Sequence, residues 1–244
     1  MKQLVSKRLK NKNYLASGFE QLDNVTKGFK RKELTIIGGR PFTGKTSFGV
    51  SLCRNLIAQL FTVLYVSLEL SADQLFERFQ MQHSQQFNEN IVKSNFFICE
   101  TVQYPYDYSS LELSVRKLHK EKSLDIVILD YFQLIDNVQT ESSSILLKLK
   151  NLAKELNLAL VVFSQLSKIV EERTTKIPLL DDLSYINGND GNIHNVFLIS
   201  RNRVHEGNKT DLFLVKHKDC RGKVISYETN NNFTIGLDVK ALNY

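Results

Sequence analysis

The residues best suited to chemistry are Gly39-Arg40-Pro41-Phe42-Thr43-Gly44-Lys45-Thr46. A glycine, four residues, then Gly-Lys-Thr is the spacing of a phosphate-cradling loop, in which backbone N–H groups and a helix N-terminus face an anion together. In such a loop Lys45 would reach the β- and γ-phosphates of a nucleotide, and the Thr46 hydroxyl would hold a bridging Mg²⁺ ion. Gly39, Arg40, Pro41, Gly44 and Ser47 complete the expected nucleotide-binding stretch. A second signal is Asp125-Ile126-Val127-Ile128-Leu129-Asp130-Tyr131, four apolar residues closed by an aspartate. A buried strand of this kind delivers a carboxylate to a magnesium shell, which prefers oxygen ligands and keeps several waters. Asp130 therefore joins Thr46 as a candidate metal ligand. Glu69 closes a third apolar run, residues 62–69, and the carboxyl ends of strands are where open α/β sheets bind ligands. Each signal also has a plainer reading: an incidental glycine turn, an aspartate capping the next turn, a surface carboxylate. Their sequence context argues for chemistry.

That context is a regular alternation of elements. Residues 33–38 read as a short buried strand. Residues 47–60 read as a helix, with Phe48, Leu52, Leu56 and Leu60 recurring every fourth residue. Ser71 is placed to cap a helix containing Gln74, Leu75 and Arg78. Residues 95–99 form a further short strand, 110–122 an amphipathic helix, 142–157 another helix and 158–166 another buried strand. Four more strands, 196–200, 211–217, 223–228 and 233–237, are separated by Asn/Gly turns that suggest antiparallel hairpins. The expected fold class is α/β, with a mostly parallel central sheet flanked by helices and antiparallel strands at the C-terminal side. Between residues 82 and 108 there is little period. Tyr104, Tyr106 and Tyr108 could stack bases or cover the edge of a core, and receive no assignment.

The chain of 244 residues is 42% hydrophobic and 24% charged, proportions of an ordinary globular protein with a substantial core. No apolar run is long enough to span a bilayer, and the basic N-terminus lacks a signal-peptide core, so no membrane association and a cytoplasmic location are expected. Three scattered cysteines argue against a disulfide framework or a structural zinc site. The net charge of +6 permits a nucleic-acid partner without requiring one. Lys2, Lys7, Arg8, Lys10 and Lys12 make residues 1–16 a basic arm, either a solvated tail or a contact to DNA or a neighbouring subunit. The remainder, 17–244, is expected to be one domain.

One family ties these signals together. Ser17-Gly18-Phe19, Leu22-Asp23, Thr26, Gly28-Phe29 and the run through Gly38-Gly39-Arg40-Pro41 to Thr46 resemble the entry to the ATPase domain of DnaB-type replicative helicases. These have a RecA-like fold, and the Arg-Pro pair inside the phosphate loop is a feature of that family. Ser67-Leu68-Glu69-Leu70-Ser71-Ala72 with Gln74-Leu75 and Arg78 resembles its second motif, and Asp130-Tyr131-Phe132-Gln133-Leu134-Ile135 its Asp-Tyr-x-Gln-Leu-Ile. The resemblance implies ATP and Mg²⁺ as ligands, with Glu69 polarising the attacking water. It also makes Gln165 a γ-phosphate sensor that passes its state to an adjacent DNA-facing loop. Here that loop is residues 168–176, whose Lys168, Arg173 and Lys176 would pair with the phosphates of single-stranded DNA, the alternative being an ordinary solvated loop.

The resemblance covers residues 17–223 and loosens after Leu183. Where the family has Arg-Glu-Ser-Gly and an acidic stretch, residues 184–195 are rich in Asn and Gly. Where it has Lys-x-Arg, whose arginine acts on the neighbouring subunit's γ-phosphate, this chain has Lys216 and then Lys218, with Arg221 three residues on. Lysine lacks the planar fork of arginine, so weak or differently assembled hydrolysis is expected, with Lys218 or Arg221 substituting. The family's helical collar domain has no counterpart in the sequence. The expectation is thus a DnaB-like motor reduced to its ATPase domain, acting on single-stranded DNA as a homo-oligomer (a hexameric ring by resemblance), with other replication proteins as further partners. The alternative is an ATP-binding accessory protein of replication that hydrolyses little. A strand-exchange ATPase would share the fold but not Arg40-Pro41 or the 67–70 motif.

Overall fold

A computed structural model describes residues 13–81, 89–100, 106–185, 190–201, 209–217, 223–229 and 233–241. Its strands are β1 (Tyr14–Leu15), β2 (Phe29–Lys30), β3 (Leu34–Gly39), β4 (Val63–Ser67), β5 (Phe96–Glu100), β6 (Ile126–Asp130), β7 (Ala159–Gln165), β8 (Asn195–Arg201), β9 (Lys209–Lys216), β10 (Lys223–Thr229) and β11 (Phe233–Ala241). Its helices are α1 (Glu20–Thr26), α2 (Lys45–Ala58), α3 (Ala72–Met81), α4 (Glu89–Asn95), α5 (Tyr108–Lys122), α6 (Val138–Glu155) and the single turn α7 (Ile169–Glu172). Nine strands form one sheet in the order β11-β10-β9-β8-β3-β7-β6-β4-β5. From β8 to β5 every pairing is parallel, and from β8 outward to β11 every pairing is antiparallel. The hairpins expected at the C-terminal side are present, and β8 joins the two regimes, parallel to β3 on one side and antiparallel to β9 on the other.

The continuous apolar runs of the central strands follow from burial on both faces. Side chains alternate between two cores. Val63, Tyr65, Ile126, Ile128, Val161 and Phe163 meet α2, whereas Leu64, Val66, Val127, Leu129, Leu160 and Val162 meet α5 and α6. Helix α2 turns Gly49 toward the sheet, where there is no room for a side chain. A Cβ there would lie 2.8 Å from the Phe163 ring and 2.9 Å from the Tyr65 hydroxyl.

Several boundaries and elements differ from the sequence reading, among them the end of β11, which runs to Ala241 rather than 237. The folded region begins before residue 17, since β1 pairs with β2 and Leu15 is fully buried, which shortens the expected arm. Residues 1–12 lie outside the described residues. Helix α6 starts at Val138, four residues early, because a non-helical Glu141 separates its first turn from the apolar face that carries the periodicity. The 168–176 loop contains α7, seated by the buried Val170. Two of the unassigned tyrosines cover core edges: Tyr108 is buried at the start of α5, and the Tyr106 hydroxyl lies 3.7 Å from Cys99 Sγ. Tyr104 lies outside the described residues. No described helix is long and apolar enough to cross a membrane.

Candidate active site

Parallel register is what assembles the site. Gly39 at the end of β3 stands opposite Gln165 at the end of β7 and Ile199 near the end of β8, and Ser67 at the end of β4 stands opposite Asp130 at the end of β6. The functional ends of five strands therefore lie side by side at one edge of the sheet, where the chain leaves each strand and can place a side chain. The segment leading toward β3 is braced by the Asp23 carboxylate, which accepts from Ser17 N and Oγ, both at 2.7 Å, and from Gly18 N at 3.0 Å.

The phosphate loop leaves β3 and ends at Gly44, whose φ of 97° starts α2. Phe42 is also left-handed, at φ 62°. Lys45 Nζ donates to the carbonyls of Gly39 (2.9 Å) and Arg40 (3.0 Å), so the ammonium is held over the loop. Burial lowers its pKa below the ordinary lysine value, with the charges of Asp130 and Glu69 acting in the opposite direction. The Thr46 hydroxyl donates to Asp130 Oδ2 at 2.8 Å, and the buried Tyr65 hydroxyl donates to the same oxygen at 2.7 Å. Asp130 Oδ1 is buried and has no hydrogen-bond partner. Burial pushes the Asp130 carboxyl above the usual carboxylate range, and the bonds from Tyr65 and Thr46 pull it back. A hard cation is what this oxygen set fits: one buried carboxylate oxygen without a partner, beside a hydroxyl at the start of a phosphate loop.

Glu69 sits two residues beyond β4 on a turn closed by Ser67, whose Oγ donates to Leu70 O at 2.7 Å and accepts from Leu70 N at 3.2 Å. The next helix begins as expected. Ser71 Oγ accepts from Gln74 N at 3.2 Å, while Gln74 Oε1 accepts from Ser71 N at 3.1 Å, a reciprocal cap. That helix, α3, carries Arg78 toward the site. Glu69, Lys45, Thr46, Ser47, Pro41, Gly44, Gln165, Arg78 and Arg201 all line one cleft of about 360 Å³, a size that suits a nucleotide.

With these parts in place, the comparison with known proteins decides the family. Residues 15–96 and 80–234 match the family described as DnaB-like helicase C terminal domain. The chain belongs to that family. A probable replicative DNA helicase of Trieres chinensis is 28% identical over 92% of this chain and 57% of its own length. The replicative DNA helicase DnaC of Bacillus subtilis (strain 168) is 31% identical over 69% of this chain and 43% of its own. The chain thus spans about half the length of these curated relatives. A solved structure of a DnaB-like replicative helicase, described with its interactions with primase, superposes with a TM-score of 0.80 at 22% identity, covering 97% of this chain and 64% of that one. A second solved structure, of an isolated ATPase domain, gives a TM-score of 0.79 at 22% identity and covers 97% of this chain and 96% of that one. The fold is that of a RecA-like ATPase domain of the DnaB type.

Within this family fold, the expected residues fall into three groups. Lys45, Thr46, Ser47, Pro41, Gly44, Glu69, Gln165 and Asp130 converge. Gly39 closes the loop from below, where a Cβ would come within 2.7 Å of Thr43 Oγ1. Arg40 contributes backbone but not side chain: its guanidinium turns out of the cleft, donating to Leu166 O (2.7 Å) and Glu171 Oε1 (2.8 Å). Its place in the expected nucleotide-binding stretch therefore rests on its backbone. Arg173 departs from expectation. It donates to Asp182 Oδ2 at 2.8 Å, to Asp182 Oδ1 and to Ile177 O, so it is tied to the 177–182 segment, whereas Lys168 and Lys176 are exposed. Lys216 pairs with Val196 at the far end of β8 from the cleft. Lys218 and Arg221 lie outside the described residues.

Sequence reasoning missed Tyr65, Gln133 and Arg201. Tyr65 is one residue of an apolar run, and nothing in that run marks its hydroxyl. Gln133 was visible only as part of a motif; its Nε2 donates to Ser164 Oγ (2.8 Å) and Gln165 O (3.0 Å), and its Oε1 accepts from Gln165 N (3.1 Å). It staples the strand end bearing Asp130 to the one bearing Gln165. Tyr185, from the divergent 184–195 segment, adds its hydroxyl to Ser164 and packs its ring 4.8 Å from Phe132.

Proposed function

We propose that this chain is an ATP-hydrolysing motor domain of the DnaB type that acts on single-stranded DNA in replication. The observation that carries the reading is the Lys45–Thr46–Asp130 constellation, with an unpartnered buried carboxylate oxygen beside Glu69 and Gln165 at one sheet edge. Thr46 and Asp130 would hold Mg²⁺, which when bound neutralises phosphate charge. Lys45 and the α2 N-terminus bind the β- and γ-phosphates. Glu69 orients a water and accepts its proton as the water oxygen bonds to the γ-phosphorus. The bond from that phosphorus to the β-bridging oxygen breaks, giving ADP and phosphate. Gln165 senses the γ-phosphate, and Lys168 and Lys176 contact DNA phosphates. Lys216 lies at the opposite end of the sheet from Gly39, a placement that supports contact with a neighbour's nucleotide in a homo-oligomeric ring, with Lys218 or Arg221 beside it. The protein would work in the cytoplasm with other replication proteins.

Steady-state ATP hydrolysis with and without single-stranded DNA tests this. Turnover that DNA stimulates and Lys45→Ala abolishes is expected. Nucleotide binding without turnover in either condition would overturn it and favour an accessory protein, the reading that Lys218 in place of arginine supports.

A further inference from the structure

Arg40 does something different from the rest of the loop that carries it. Its carbonyl belongs to the phosphate cradle, accepting from Lys45 Nζ at 3.0 Å and Thr43 Oγ1 at 2.8 Å. Its guanidinium reaches the other way, to two points on the 166–171 segment. Nη1 donates to Leu166 O at 2.7 Å and Nε to Glu171 Oε1 at 2.8 Å. Leu166 directly follows Gln165, and its N–H donates back to Gly39 O at 3.2 Å, so the two segments are tied in both directions. Glu171 lies on α7, between Lys168 and Lys176. The arginine side chain is 13% exposed and the glutamate 60%, so the arginine is the anchored partner and the glutamate the one that can release. A carboxylate amid DNA-facing lysines weakens attraction for phosphate; its pairing with Arg40 gives it another role.

We propose that Arg40 is a positioning residue coupling the phosphate loop to residues 168–176 through Leu166 and Glu171. Phosphate in the loop and the placement of Lys168 and Lys176 then change together. The proposal rests on the nucleotide and DNA reading above. The mechanism is direct. Two of the three Lys45 N–H donors hold the Gly39 and Arg40 carbonyls, so phosphate taken by the same ammonium pulls on the peptide that carries the guanidinium. A lysine at position 40 could not make both outward bonds in the planar geometry a guanidinium offers.

The test is amide hydrogen exchange over residues 166–176, with and without a slowly hydrolysed ATP analogue and Mg²⁺. In the unaltered chain the analogue should change exchange in this segment. In Glu171→Ala that change should shrink about two- to fivefold, the range an exposed ion pair supports, and Glu171→Asp should restore most of it. Arg40→Lys should behave like Glu171→Ala. Analogue affinity in Glu171→Ala should hold, and affinity for a single-stranded oligonucleotide should hold or rise because a negative charge is gone; a merely structural loss of the loop would weaken both DNA binding and the fold. An unaltered segment that ignores bound analogue, or a Glu171→Ala segment that responds fully, would overturn the proposal. Intact coupling in a protein whose hydrolysis ignores DNA would instead overturn the DNA reading alone, and a chain that binds no nucleotide would overturn both.

Discussion

Asp130 is a buried carboxylate whose two oxygens have different surroundings. Oδ2 takes two hydroxyl donors, and Oδ1 has no partner. Without a cation its charge is a cost to the fold, so Asp130→Asn should stabilise the nucleotide-free chain by about 1 kcal/mol near neutral pH, the unsatisfied amide offsetting part of the gain. The pH dependence has a definite sign. The folded pKa is raised above the ordinary 3.8, so the native state binds more protons than the unfolded one in the interval above 3.8. Asp130's contribution is therefore most favourable below 3.8 and is lost as pH rises through its folded pKa. Denaturant melts of both proteins across that range should converge at acid pH and diverge upward, and the same substitution should abolish Mg²⁺-dependent turnover. Equal stabilities at every pH would contradict this account of the site. The convergence of Lys45, Thr46 and Asp130 was legible in the sequence because spacing and strand-end position place them together. The outward turn of Arg40 and the hydroxyl of Tyr65 were not, because each depends on which residue from a distant segment lies opposite.

At the scale of elements, the site depends on strand ends held level with one another. Gly49 lets α2 approach β4 and β7, and two effects oppose each other there. Alanine in a helix is favoured over glycine by about 1 kcal/mol. The added Cβ, however, would press on the Phe163 ring and on the Tyr65 hydroxyl that serves Asp130. Overpacking of this kind costs about 1–3 kcal/mol, so Gly49→Ala should be net destabilising in a denaturant melt and should slow hydrolysis. Gln133→Ala removes the staple between β6 and β7. It should lower stability by about 1–3 kcal/mol and depress turnover more than nucleotide affinity, since Gln165 loses its fixed backbone. The central alternation of strands and helices was readable from periodicity and the cap at Ser71 from its residue type, whereas the short elements α1, α4, β1 and β2 were not read. The start of α6 and the turn at α7 were hidden, the first by a non-helical Glu141 and the second by a charged stretch seated through the single buried Val170.

At the scale of the molecule, the proposed function assigns roles to opposite ends of one sheet. The nucleotide cleft lies at the carboxyl ends of the parallel strands, and Lys216 lies at the other end of the β8–β9 pair. A residue so placed can serve a nucleotide only in a neighbouring subunit. Light scattering after size exclusion should accordingly show ATP-analogue-dependent assembly toward about six subunits, the number implied by family resemblance. A persistent monomer would favour the accessory reading. The order of the strands, with β3 between β7 and β8, could not be read from periodicity, which marks strands without saying which lie side by side. The element pattern supplied the α/β class and the family resemblance its RecA-like type, but neither gave these pairings, and residues 184–195, where the resemblance fades, are where Tyr185 was missed.

In the proposed function Glu69 is the residue on which hydrolysis turns, since it lines the cleft beside Lys45 and Thr46 and is assigned the activation of water. The most direct measurement is single-turnover conversion of bound ATP by Glu69→Gln beside the unaltered chain, with nucleotide affinity measured in parallel. Unchanged affinity with conversion slowed by about 10²–10⁴-fold is the predicted result. Conversion within about tenfold of the unaltered chain would place the general base elsewhere and contradict the account.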